Sequence, residues 1–233
     1  AAPFTEEDWS VVDSPSIAPY EKSKTLAERA AWEFAQSEEA RGMELATVNP
    51  GFVLGPPLSS VPGTSVEVMC KLLNRELPRV PRLSFPCVDV RDVARAHLLA
   101  MTTGAAAGQR FLCANETLWF KDLGSILARE FNPQGYRVPD KELPHWMLRV
   151  ASICDKSVRM ILPDVGLVRN CDNSKIQSVL GLHFRDSQST LVDMGHALVE
   201  LGVVPRSKQY RGQSGREHGH GQSAVGVDVA VGK

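Results

Sequence analysis

Apolar and polar positions along this chain fall into blocks of helical period separated by short apolar runs. From Pro19-Tyr20 to about Arg41, the residues Leu26, Ala27, Ala30, Ala31, Phe34 and Ala35 recur at helical spacing and make one face, with Glu28, Arg29, Glu33, Glu38 and Glu39 on the wet side. Pro19 suits a first helical turn and Gly42 a C-terminal stop. The next run, 43–49, is short and bounded by Pro50-Gly51, which predicts a strand. Helix, tight turn and strand make half of an α/β unit, and a parallel strand requires covered faces and neighbours.

Downstream, 50–63 is rich in Pro, Gly and Ser and reads as a loop, followed by a helix over 65–75. Residues 85–88 predict a short strand leading to a helix over 93–101, capped by Asp89 or Asp92. Residues 104–108 read as a turn, 110–114 as a strand, 120–131 as a helix and 143–162 as one or two buried helices. Late helices over 174–180 and 189–201 end at Gly181 and Gly202. The first 18 residues, with Pro3 and Pro15, read as an extended entry segment. From Pro205 onward the composition turns to Gly, Ser, Gln, Arg and His, the pattern of a disordered tail. Within it, His218-Gly219-His220 offers two metal ligands and no third.

Composition narrows the function classes. The 26 Lys and Arg nearly balance 27 Asp and Glu, so nothing electrostatic points to nucleic acid or to an anionic membrane. Hydrophobic residues at 43% and charged residues at 23% mark a globular chain, and no apolar run approaches the roughly 20 residues that span a bilayer. The five Cys are odd in number, widely spaced and form no C-x-x-C pair, which suits reduced thiols in a cytoplasmic protein. The acidic start, without Met, leads us to expect a chain that begins mid-protein.

The informative fragment is Tyr20-Glu21-Lys22-Ser23-Lys24. Residues four apart share a helix face, so Tyr20 and Lys24 point into the same space. A phenol ordinarily ionises near about pH 10, and an ammonium held beside one favours the phenolate. Such a pair can give a proton to a carbonyl oxygen or remove one from an alcohol. By itself the spacing is weak, because a surface helix with a packed ring and a solvated ammonium has the same sequence.

Context strengthens it. The run from Tyr20 through Lys24, Thr25, Leu26, Ala27 and Glu28 to Trp32 resembles the active-site helix of extended short-chain dehydrogenases/reductases, most of all their dihydroflavonol 4-reductase-like branch. Asn49-Pro50-Gly51-Phe52-Val53-Leu54-Gly55-Pro56 resembles that family's next strand end and loop. Val88-Asp89-Val90-Arg91-Asp92-Val93 through His97, and Ser174-Lys175 through Leu180-Gly181, are similar to two later segments, all in family order. The resemblance implies an α/β fold: the C-terminal portion of a Rossmann-type doubly wound sheet plus a small, mostly helical substrate-binding lobe, over 1–204. It implies Tyr20 as catalytic acid/base, Lys24 as the residue that tunes it and holds a ribose hydroxyl, and Pro50, Phe52 and Val53 around a nicotinamide. NADP, or NAD, would be the cofactor and a small carbonyl or alcohol compound the substrate. Asp89, Arg91 and Asp92 would be structural, and His97 a packed or capping group.

Two family features do not occur in these residues. No Gly-rich turn of the kind that holds a pyrophosphate is present, and Ser10, Ser14 and Ser16 are poor matches for a carbonyl-supporting Ser. We therefore expect a fragment not self-sufficient for cofactor binding, with self-association through an incomplete sheet as one consequence. Sugar-nucleotide epimerase or dehydratase chemistry, steroid dehydrogenase/isomerase chemistry and a non-catalytic binding module are the competing readings.

Overall fold

Pro19 opens the first helix, where its missing N–H leaves no bond unmade. The computed structural model describes residues 2–15, 17–61 and 63–213. In chain order the elements are α1 (Pro19–Ala35), β1 (Thr47–Pro50), β2 (Phe52–Leu54), α2 (Thr64–Leu73), β3 (Ser84–Asp89), α3 (Val90–Thr102), β4 (Arg110–Cys113), β5 (Glu116–Trp119), α4 (Phe120–Phe131), α5 (His145–Cys154), α6 (Lys156–Ile161), α7 (Ser174–Leu180) and α8 (Ser187–Glu200). This is the expected α/β arrangement, with two clusters of buried side chains. Phe111, Cys113, Val88, Ala96, Ile176 and Leu182 join β1 and β4 to α3 and α7. Leu54, Met69, Leu72, Leu127, Phe131, Leu191 and Met194 form a larger cluster among β2, α2, α4 and α8.

The sheet changes partners at one glycine. β1 pairs in parallel with β4, and after Gly51 the chain continues as β2, which pairs in parallel with β3. A Cβ at Gly51 would lie 2.1 Å from the Pro86 carbonyl oxygen, so only glycine lets the strand step across. β3 in turn pairs antiparallel with β5. On these ladders Cys87 and Cys113 are buried, and burial pushes both thiols up to about 12.

Several boundaries differ from the sequence expectations. β2 lies within the expected 50–63 loop, and β5 lies where no strand was expected; both are too short for a periodic signal. α1 ends at Ala35 rather than near Arg41, because Ser37 turns extended and Glu38–Ala40 form a separate 3₁₀ turn before Gly42, at φ +83°. Packed chain continues past Pro205. Tyr136 Oη donates to the Pro205 carbonyl at 3.1 Å, and Tyr210 Oη lies 2.8 Å from His196 Nδ1, whose Nε2 meets Glu130 at 3.1 Å. Burial and the Glu200 charge push the Tyr210 phenol up to about 12. The expected disorder beyond Gln213 and the His218–His220 pair lie outside the described residues.

α1 is oriented by one carboxylate. Thr47 and Arg110 are register partners on β1 and β4, and Asn49 lies two residues along the same face. All three reach Glu28 of α1: Arg110 Nε at 2.8 Å, Thr47 Oγ1 at 2.9 Å and Asn49 Nδ2 at 2.9 Å, with Trp32 Nε1 at 3.3 Å. Burial by itself would raise the Glu28 carboxyl, but these hydrogen bonds outweigh it and hold it below the ordinary carboxylate value. The helix is thereby turned opposite to the expected sense. Thr25 and Glu28 face inward, whereas Leu26 and Phe34 of the apolar stripe are 47% and 49% exposed. Arg110 also donates to the Glu6 carbonyl and stacks 3.8 Å from the Trp9 ring centroid, tying the entry segment to β4. Glu6, itself buried, accepts from Leu112 N on the edge of β4 away from β1.

A second carboxylate joins α3 to α8. Asp89 caps α3 by accepting from Arg91 N at 2.7 Å, and it also accepts from Arg91 Nε and from Thr190 Oγ1. Arg91 reaches on to Asp193 at 2.9 Å. His97 Nδ1 lies 2.8 Å from the Val93 carbonyl one turn back on α3.

Two outcomes follow. Gly124→Ala would place a methyl 2.2 Å from the Pro139 carbonyl, so overpacking outweighs the better helix propensity, and thermal melts should show a loss of about 1–3 kcal/mol; a raised Tm would contradict this close approach. Glu28→Gln should destabilise on the order of 3 kcal/mol at pH 7 by leaving Arg110 without its charge partner. Because the folded carboxyl is depressed, that difference is present above the unfolded carboxyl range and closes as pH falls below about 4. Urea unfolding of both proteins across that interval measures it.

Candidate active site

The C-terminal end of β1, the first turns of α1 and the entry segment enclose a cleft of about 600 Å³. Such a position, outside the carboxyl ends of parallel strands, is where open α/β sheets hold ligands. Tyr20 and Lys24, one turn apart on α1, both line it, and Lys24 Nζ sits 5.6 Å from the Tyr20 ring centroid. Pro50, at the end of β1, lies on the same cleft. The phenol is wide open, at 71% exposure.

Phe52 and Val53 are placed differently. Phe52 stacks on Phe85 at 4.7 Å between ring centroids and packs against the larger core. Val53 packs against the core beneath α3. Neither side chain lines the cleft, because the crossing at Gly51 carries them to other neighbours.

Other lining residues were not singled out as site residues from sequence. Glu28, Asn49, Thr47 and Arg110 form the cleft wall through the carboxylate network, and Trp9 and Ser10 come from the entry segment. Ser10, set aside as a poor match, therefore stands on the cleft with Tyr20. Ser16 lies outside the described residues. Arg110 did carry a readable signal: a guanidinium opening a strand that ends Phe-Leu-Cys demands an acidic partner. The sequence could not say that Glu28 was that partner.

The donor set fits one end of a dinucleotide. Lys24 has no carboxylate paired to it among the described residues, so its ammonium is available for a ribose hydroxyl, and Pro50 offers an apolar edge for a flat ring. For the pyrophosphate there is no matching cradle, since the described positive-φ glycines, such as Gly42 and Gly55, follow α1 and β2 and do not open a helix in a G-x-G-x-x-G turn. Among the described residues no group of His, Cys, Asp and Glu is placed to hold a metal, and no helix is long and apolar enough to cross a membrane.

No protein-family model matches the chain. Cinnamoyl-CoA reductase 2 of Arabidopsis thaliana is 38% identical over 202 residues, which are 86% of this chain and 54% of that protein. The NADPH-dependent methylglyoxal reductase of Saccharomyces cerevisiae is 27% identical over 215 residues, 85% of this chain and 57% of that protein. The solved structure of yeast methylglyoxal/isovaleraldehyde reductase complexed with NADPH matches with a TM-score of 0.66 at 28% identity, covering 86% of this chain and 58% of that one. The chain thus spans a little over half the length of the proteins it matches. Continuous similarity across most of these residues, together with the Rossmann-type α/β fold, places the chain in the extended short-chain dehydrogenase/reductase family.

Proposed function

We propose that the protein carrying this chain is a cytoplasmic NADPH-dependent reductase of a small carbonyl compound, and that the Tyr20 cleft is its proton-delivery and nicotinamide-riboside side. The observation that carries this reading is the shared cleft of Tyr20, Lys24 and Pro50. Its relatives include reductases of methylglyoxal and cinnamoyl-CoA.

A bound NADPH supplies the hydride, the one part of the chemistry that no side chain of this chain can provide. Tyr20 donates its phenolic proton to the substrate oxygen as negative charge develops there. Lys24, a turn below, stabilises the phenolate left behind and holds a ribose hydroxyl. Glu28 and Arg110 touch no reacting atom in this scheme; they fix the rotation of α1, so that Tyr20 and Lys24 face the end of β1. Phe52 and Val53 would approach the nicotinamide only through their backbone. The exposed phenol needs a further wall before water is excluded from the reaction. The edge of β1 opposite β4 has no strand beside it among the described residues and lies where such a wall, or a second copy, would pair.

In a protein that carries the complete cofactor site, Tyr20→Phe should lower kcat by about 10²-fold or more while NADPH affinity stays within a few-fold. Following NADPH oxidation at 340 nm beside fluorescence titration separates the two; a variant keeping most of its kcat would remove Tyr20 as the proton donor. By isothermal titration the 233-residue chain alone should show no micromolar NADPH binding at the Tyr20 cleft, so Lys24→Ala should leave any heat of NADPH addition unchanged, because these residues supply only the riboside end of that site.

A further inference from the structure

We infer a second ligand site, for a small molecule carrying a diphosphate or two phosphoryl groups, in the cleft between the segment after α2 and the loop after α4. It encloses about 480 Å³ and shares no residue with the Tyr20 cleft. That volume suits a small molecule better than a macromolecular surface.

Charge carries the inference. Arg75, Arg79, Arg137 and Lys141 line this cleft against a single carboxylate, Asp140, in a chain whose formal net charge is −1. All four cations are exposed, and none takes part in a salt bridge among the described residues. By contrast, Arg91, Arg110, Arg169 and Arg185 each find a carboxylate. Four like charges around one concavity repel one another unless an anion neutralises them. Guanidinium forks match phosphoryl oxygens two at a time, and the number of cations exceeds what one monoanion requires.

The walls are also fixed in place. Val80 N donates to the Lys141 carbonyl at 3.0 Å, and Leu143 N to the Val80 carbonyl at 2.7 Å, stitching the two sides together. Asn132 Oδ1 accepts from Val138 N at 2.7 Å, holding the loop that carries Arg137. Arg75 sits at φ +57°, the one non-glycine residue of positive φ among those described, at the turn where α2 closes. Local backbone bonds from Arg75 N to Leu72 and from Glu76 N to Lys71 hold that turn. The backbone that carries the cations is thus already in place, and an entering anion has only their side chains to order.

The test titrates the purified chain with pyrophosphate, with ADP and with sulfate at one ionic strength, by isothermal calorimetry. Pyrophosphate and ADP, which share the diphosphate, should each bind at least tenfold more tightly than sulfate. The double variant Arg75→Gln/Arg137→Gln, whose side chains make no hydrogen bond among the described residues, should keep its Tm and lose pyrophosphate affinity by at least tenfold. Lys121→Gln, at the opposite end of α4, should change it by less than twofold. Equal binding of pyrophosphate and sulfate, or an undiminished pyrophosphate affinity in the double variant, would overturn the site.

Discussion

A half-buried carboxylate cannot be left without donors, and the geometry of α1 follows from that constraint. Glu28 gathers donors from β1, from β4 and from its own helix, and Arg110 extends the same cluster to the entry segment through the Glu6 carbonyl and the Trp9 ring. Because the two strands are in parallel register at Thr47 and Arg110, a single side chain can span both. The rotation of the helix is then no longer free, and with it the direction of every residue a whole number of turns away. Tyr20 and Lys24 lie on the cleft because Glu28, one further turn along, is tied down.

This explains why an amphipathic helix carries its apolar stripe outward. Hydrophobic burial would turn Leu26, Ala27, Ala30, Ala31 and Phe34 toward the sheet, yet the polar cluster holds the opposite face there. A stripe of this length on one helix is an exposed patch of the type that marks an interface. The energetic preference is the usual one for buried charge: leaving a desolvated Arg110 without its carboxylate costs more than exposing a few methyl groups.

Much of the site was legible in the sequence because its signals are local. Tyr20 and Lys24 are related by one helical turn; α4 coincides with its sequence boundaries because apolar periodicity defines it, and α7 because Gly181 ends it. What sequence could not supply is pairing over distance. Glu28 looks like any exposed helix glutamate until Arg110, far along the chain, is beside it. Phe52 and Val53 follow Pro50 directly, but the step at Gly51 redirects their side chains into two different cores. Tyr210 likewise sits in a segment of polar composition and is held against the fold by His196 and Tyr136, which lie far from it in sequence.

The two sheet thiols have a consequence of their own. Cys87 on β3 and Cys113 on β4 are buried and have thiols raised to about 12, so at neutral pH almost none of either exists as the nucleophilic thiolate. Alkylation of either sulfur therefore waits until its strand separates from its neighbours, and its rate reports how readily the strands open. The two cysteines thus serve as native reporters of strand opening, with no residue substituted.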